Sequence, residues 1–176
     1  MGFVLRRPPD DQGLGIVARL EGDTSPLGQA VAELSAMAQR ADPAAIEREY
    51  HHLFIGVGRG ELLPFASYYR TGFLHEKPLA SLRADLARLG IERAPGQSDP
   101  EDHIACLAEV MAGLIAGDFA VDASEQAHFF TRHLQPWAGR FFADLEAAAA
   151  AAFYRPAGTI GRHLVDIEAT AYTLAA

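Results

Sequence analysis

The sequence predicts an all-α protein, a single-domain helical bundle, and three observations carry that reading. Alanine is abundant, asparagine is absent, and alternating runs of β-branched residues are scarce, all of which favour helix over strand. Start signals recur at Ser25-Pro26, Asp42-Pro43 and Asp99-Pro100. Each offers a capping side chain, then a proline whose missing N–H is not needed in a first turn. Behind each start, apolar residues repeat at helical spacing.

The first 24 residues carry the weakest pattern. A helix over Asp11 to Leu20 is weakened by Gly13 and Gly15, and only Met1 to Arg7 stand ahead of Pro8. This part reads as weakly ordered, or as an incomplete first helical region. From Ser25 to Arg40, Leu27, Val31, Leu34 and Ala38 share one helix face. From Asp42 to Ile55, Ile46, Tyr50, Leu53 and Phe54 do the same. Leu79, Leu82, Leu86 and Leu89 mark a helix over Pro78 to Leu89, stopped by Gly90. After Pro100 come Ile104, Leu107, Met111, Leu114 and Ile115, then Gly117. Further helices are expected over Ser124 to Leu134, over Pro136 to Tyr154 with Pro156 as the break, and over Gly161 to Leu174. The six alanines Ala147 to Ala152 read as plain helix.

Two connections, Gly56 to Phe65 and Ile91 to Asp99, are longer than a bundle needs, and long loops in compact domains tend to be functional. No repeat or linker divides the chain, so residues 1–176 read as one domain.

The composition narrows the function. With 49% hydrophobic and 22% charged residues, 176 residues can build one sizeable core. A net charge of -8 argues against nucleic acid and suits a basic partner or simple solubility. The single cysteine, Cys106, excludes an internal disulfide framework and points to a reducing compartment, the cytoplasm. No stretch has the roughly 20 apolar residues that a membrane span needs. Arg6-Arg7 is followed by Pro8, Pro9, Asp10 and Asp11 where an export signal would be apolar.

Few residues invite bond-making chemistry. Glu49…His52 and Glu125…His128 have the Glu-x-x-His spacing of di-iron bundles, which makes a metal-dependent bundle enzyme the alternative reading. At 100° per residue, however, both histidines point away from their helices' apolar stripes and toward solvent. Cys106, beside Ile104 and Leu107, reads as a small buried side chain, not a nucleophile. The glycines of Gly56-Val57-Gly58-Arg59-Gly60 match neither a phosphate loop nor a dinucleotide fingerprint. The most polar helix start is Ser98-Asp99-Pro100-Glu101-Asp102-His103. There Asp99 is expected to cap, with Glu101 and Asp102 in the first turn. A cation is disfavoured at that end, so His103 should be neutral and hydrogen-bonded.

Four segments then stand out in order: Glu49-Tyr50-His51-His52-Leu53-Phe54-Ile55-Gly56, Pro64-Phe65-Ala66-Ser67-Tyr68-Tyr69, Asp99-Pro100-Glu101-Asp102-His103-Ile104, and His133-Leu134-Gln135-Pro136-Trp137. Together they resemble the TorD/DmsD/NarJ family of redox-enzyme maturation chaperones, over a stretch from about Leu27 to the C-terminus. Two positions depart from the family pattern: Ala66 and Asp99 stand where glutamate is frequent. Family members generally carry a further helix ahead of Pro8, and a groove left open by its absence would favour self-association as a homodimer.

The resemblance implies a cytoplasmic chaperone without catalytic residues, metal or cofactor of its own. Its partners would be an apo-molybdoenzyme catalytic subunit, of the formate dehydrogenase or dimethyl sulfoxide or trimethylamine N-oxide reductase type, and that subunit's twin-arginine signal peptide. Two guanidinium groups followed by an apolar run need carboxylates beside an apolar groove. Asp99, Glu101, Asp102 and His103 are the expected polar contacts. Tyr50, Leu53, Phe54, Pro64, Ser67, Tyr68, Tyr69 and Trp137 are the expected wall. Core packing is the competing role for most of these aromatics, and Tyr68 and Tyr69 are the ones expected to be partly exposed.

Overall fold

The computed structural model describes residues 2–93, 99–119 and 121–174. Their elements are α1 (Gly2–Arg6), α2 (Asp11–Val17), α3 (Pro26–Gln39), α4 (Pro43–Tyr50), α5 (Ala66–Thr71), α6 (Lys77–Arg88), α7 (Ile104–Ala116), α8 (Ala123–Phe129), α9 (Ala138–Ala147) and α10 (Tyr154–Leu174). Helix α4 runs on into a π-helical turn at His51–Ile55, and α8 into another at Phe130–Leu134. The all-α reading holds.

Local chemistry sets most of the starts. Ser25 accepts from the Gly28 N–H and Asp42 from the Ala44 N–H, each ahead of a proline in the first turn. Asp10 and Asp122 cap α2 and α8 in the same way. Gly90 and Gly117 close α6 and α7 with positive φ. Val4, Leu5, Leu14 and Val17 are buried, so the segment before Ser25, expected to be weakly held, contributes to the core.

The C-terminal half departs from the expected pattern. α9 stops at Ala147, and Ala148 takes an extended conformation (ψ 136°), so the six-alanine run is not one helix. α10 opens at Tyr154 instead of Gly161, and Pro156 lies inside its first turn, where a proline is tolerated. α5 was not expected at all. The expected loop from Ile91 to Asp99 includes residues 94–98, and the polar start includes Ser98; these lie outside the described residues.

α10 packs along α9 and also against α3, while α1 lies on α7. The α9–α10 approach is close because of two glycines. A Cβ on Gly158 would stand 2.6 Å from the Glu146 backbone nitrogen, and one on Gly161 would stand 2.2 Å from the Phe142 ring. Leu34, Leu53, Leu82, Leu107, Leu114, Phe129, Phe141, Leu145 and Tyr154 are fully buried in one core. Each such side chain contributes about 1.5–3 kcal/mol of transfer free energy.

Candidate functional site

Backbone pairing joins the second and third of the segments singled out in the sequence, and folds the loop after the first back onto that segment's end. Gly56 ends the first π turn with φ 63°, a conformation that favours glycine. The loop then folds back, with the Glu61 N–H donating to the His52 carbonyl (3.1 Å) and the Leu62 N–H to the Leu53 carbonyl (2.8 Å). Phe65 forms an antiparallel bridge with His103. The Ala66 N–H donates to the Asp102 carbonyl (3.0 Å), and the Ile104 N–H donates to the Pro64 carbonyl (2.8 Å).

That pairing determines what Asp102 and His103 do. The Asp102 carboxylate accepts from the Ser67 N–H at 2.8 Å and so caps α5, whose own N-cap residue, Phe65, offers no side-chain bond. His103 accepts from the Ala105 N–H through Nδ1 at 3.1 Å, which makes it the cap of α7. Its ring meets Phe65 edge-on at 5.1 Å. Burial pushes His103 down to about 4, against the opposing pull of Asp99 and Asp102, so it is neutral as expected.

This corrects the expected polar contacts. Asp102 is 1% exposed and His103 5%, so neither faces a ligand groove. Asp99 does not cap the helix, and Glu101 and Asp102 precede its first turn, because residues 102–104 are drawn into extended pairing with residues 64–66. Glu101 is bound by Arg83 (2.8 and 3.0 Å), and the Asp99 carbonyl accepts from Arg93 (2.7 Å). Asp102 Oδ1 and Ser67 Oγ are buried with no hydrogen-bond partner among the described residues.

Most of the expected wall is core. Tyr50, Phe54 and Tyr154 form an aromatic trio with centroids 5.0–5.9 Å apart, and the Tyr50 hydroxyl donates to the Arg6 carbonyl (2.7 Å). Burial raises Tyr50 to about 12. Leu53, Pro64, Ser67 and Trp137 are buried too. The Trp137 indole donates to the His133 carbonyl (2.7 Å), and its ring lies 5.5 Å from that of Tyr69. Tyr68 and Tyr69 are half-buried, as expected.

The open surfaces lie elsewhere. One face of α7 (Ile104, Ala108, Met111, Ala112, Ile115) and one of α10 (Gly161, Leu164, Val165, Glu168) form, with Gly2 and Phe3 of α1, an apolar groove of about 490 Å³. Ile115 is 54% and Leu164 39% exposed in it. Glu109 and Glu168 stand at its edge. The sequence reading places Ile104, Met111 and Ile115 on an apolar helix but assigns none of the groove residues a binding role. The signal was α7 itself, which is apolar on nearly every side and therefore has more than one face to cover. A second cleft, about 350 Å³, opens beside Tyr68 and Tyr69. A third, about 460 Å³, lies against Arg6, Arg83, Glu101 and Cys106. Burial pushes the Cys106 thiol up, as expected for an inert buried cysteine.

The family described as nitrate reductase delta subunit matches residues 20–143. The chain belongs to that family. The TorD/DmsD/NarJ resemblance is thus borne out. Among similar proteins, the chaperone protein TorD of Vibrio cholerae is 28% identical over 102 residues, covering 53% of this chain and 46% of its own length. The chain therefore spans about half the length of that relative. The TorD of a Psychrobacter species is 26% identical over 132 residues (70% of this chain, 60% of its own). The Tat proofreading chaperone DmsD of Salmonella typhimurium is 26% identical over 136 residues (76% and 65%). A crystal structure from Archaeoglobus fulgidus, described as a redox enzyme maturation protein, shares the fold with TM-score 0.55, 19% identity and 94% coverage of both chains.

Within this family the named relatives are chaperones, and the metal-enzyme alternative finds no support in the geometry. His52 and His128 are exposed, as their helical positions predict. Glu49 is engaged by the backbone N–H groups of Ala152, Phe153 and Tyr154 (2.8–3.0 Å), and Glu125 by Arg88 (2.6 and 2.7 Å). Among the described residues no group of three or more metal-ligating side chains converges.

Proposed function

We propose that this nitrate reductase delta family protein is a cytoplasmic chaperone for a molybdenum- or tungsten-dependent oxidoreductase. It holds the apo catalytic subunit, binds its twin-arginine signal peptide, and delays export until the cofactor is in place. The names of the relatives support the chaperone role, and that of DmsD supports a link to twin-arginine export.

The observation that carries the peptide reading is the α1/α7/α10 groove. An apolar run fits against Ile115, Leu164 and Val165, and a guanidinium fits Glu168 at the edge, Glu109 being already held by Arg6. The chain supplies its own example of the second contact: Arg6 binds Glu109 through both Nε and Nη2. The net charge of -8 draws a cationic peptide toward the whole surface. Among the described residues no helix is long and apolar enough to cross a membrane. Exposed Ile115, Leu164 and Ile167 also suit a second copy of the chain as the occupant of this face.

Calorimetry with a synthetic twin-arginine signal peptide tests the reading. Saturable binding is expected, weakened at least tenfold or so by Leu164→Asp, an exposed position whose change spares the core. No binding at about 50 μM peptide, or binding indifferent to Leu164→Asp, counts against it. Sedimentation of the same samples separates peptide capture from dimer formation: a dimer that Leu164→Asp dissolves, without peptide binding, assigns the face to self-association.

A further inference from the structure

We propose that the cleft beside Tyr68 and Tyr69 is a binding site for a phosphate monoester. This goes beyond the peptide reading and uses a different surface. Three arginines from three elements line the cleft: Arg59 from the glycine loop, Arg70 from α5 and Arg140 from α9.

Their guanidinium groups are held in ways that leave charge available. Arg59 stacks over the Tyr68 ring at 5.0 Å and donates to its hydroxyl. Arg140 lies over the Tyr69 ring at 6.0 Å. Arg70 gives one long bond, 3.4 Å, to the Arg132 carbonyl. Among the described residues none of the three forms an ion pair, whereas Arg6, Arg83, Arg88, Arg132 and Arg162 all do.

The loop that presents Arg59 is shaped for the purpose. A Cβ on Gly56 would lie 2.0 Å from the Arg59 carbonyl oxygen, and one on Gly60 would lie 2.5 Å from the Phe54 carbonyl carbon. The loop therefore closes tightly on its own base, with Val57 and Gly58 at its tip and the exposed Arg59 on the returning arm. The same glycines match no known phosphate-binding spacing, so the charge here comes from side chains and not from a cradle of N–H groups.

Two carboxylates also line the cleft, and both are engaged. Glu61 accepts from the Ala149 N–H (2.8 Å) and the Ala150 N–H (3.2 Å). Asp144 accepts from the Tyr69 hydroxyl (2.9 Å). Three guanidinium groups against two engaged carboxylates make a local positive excess on a protein of net charge -8. Guanidinium forks match phosphate oxygens bidentately, and a dianion answers several of them better than one carboxylate does. At about 350 Å³ the cleft exceeds a bare phosphate, leaving room for the organic part of an ester.

The experiment titrates the full chain, in phosphate-free buffer at low salt, with inorganic phosphate, glycerol 2-phosphate and acetate. Saturable binding is expected for both phosphates, tighter for the ester, and roughly tenfold or more weaker in the Arg59→Gln/Arg140→Gln double variant. Both positions are exposed, and thermal unfolding checks that the variant folds. Arg19→Gln, outside this cleft, should leave binding unchanged. Acetate binding as strongly as phosphate, no saturation by either phosphate, or wild-type affinity in the double variant overturns the proposal. Leu164→Asp, which disables the peptide groove, should not alter phosphate binding, so the two readings fail separately.

Discussion

The Glu49 carboxylate accepts the backbone N–H of Tyr154 at 2.8 Å, across 105 residues of chain, and thereby starts the longest helix of the protein. It also takes the N–H groups of Ala152 and Phe153. Glu61 does the same for Ala149 and Ala150. The α9–α10 connection is built largely of alanine and has no capping side chain of its own. Two carboxylates distant in sequence supply what it lacks, and their charge suits a helix N-terminus.

Glu49→Ala should therefore cost about 2–3 kcal/mol, more than an ordinary cap deletion, because three N–H groups lose a charged acceptor. Glu49→Gln, which keeps one acceptor oxygen, should cost about half as much. Urea unfolding of the two variants measures both. A Glu49→Ala midpoint equal to that of the wild type would show that the connection does not need the carboxylate.

Asp102→Ala should act on stability and leave ligand affinity alone. It strips the acceptor from the Ser67 N–H inside the core and should cost about 2–3 kcal/mol. Asp102→Asn retains an acceptor and should cost less. Unfolding curves, together with peptide titration of the variant that remains folded, make the distinction. Direct loss of peptide affinity in fully folded Asp102→Asn would restore Asp102 to a contact role.

Acid should weaken the fold through His103. Above about pH 6.5 the imidazole is neutral in folded and unfolded chains alike. Between there and about 4 the unfolded chain takes up a proton that the folded chain refuses, so stability falls as pH drops through this window and levels off below it for this group. A depression of that size corresponds to about 3 kcal/mol. His133, pushed down by burial against the pull of Asp85, works in the same direction. Unfolding at about pH 7, 6 and 5 reads the slope, and His103→Gln should flatten it. A slope unchanged in that variant would remove His103 as its source.

Much of the framework was legible in the residues. Ser25, Asp42, Gly90 and Gly117 mark helix ends where the structure has them, and the outward turn of His52 and His128 followed from helical geometry. The four segments pointed to the right family. The misplacements share one cause. Asp99-Pro100 is a valid local start, but the backbone of residues 102–104 pairs with residues 64–66, and the helix opens at Ile104 instead. The alanine run has the propensity for helix, but Glu49 and Glu61 bind its N–H groups. α5 escaped notice because its cap, Asp102, lies 35 residues away.

The sequence by itself determined the helical class, most helix termini and the family, because apolar period and capping chemistry act within a few residues of one another. Only the tertiary structure decided that Asp102 and His103 are buried caps, that Tyr50, Phe54 and Trp137 are core, and that an apolar groove and an arginine cleft remain open. The reason is physical: whether a side chain faces a partner or the interior depends on backbone pairing and packing between distant segments, which no local pattern encodes.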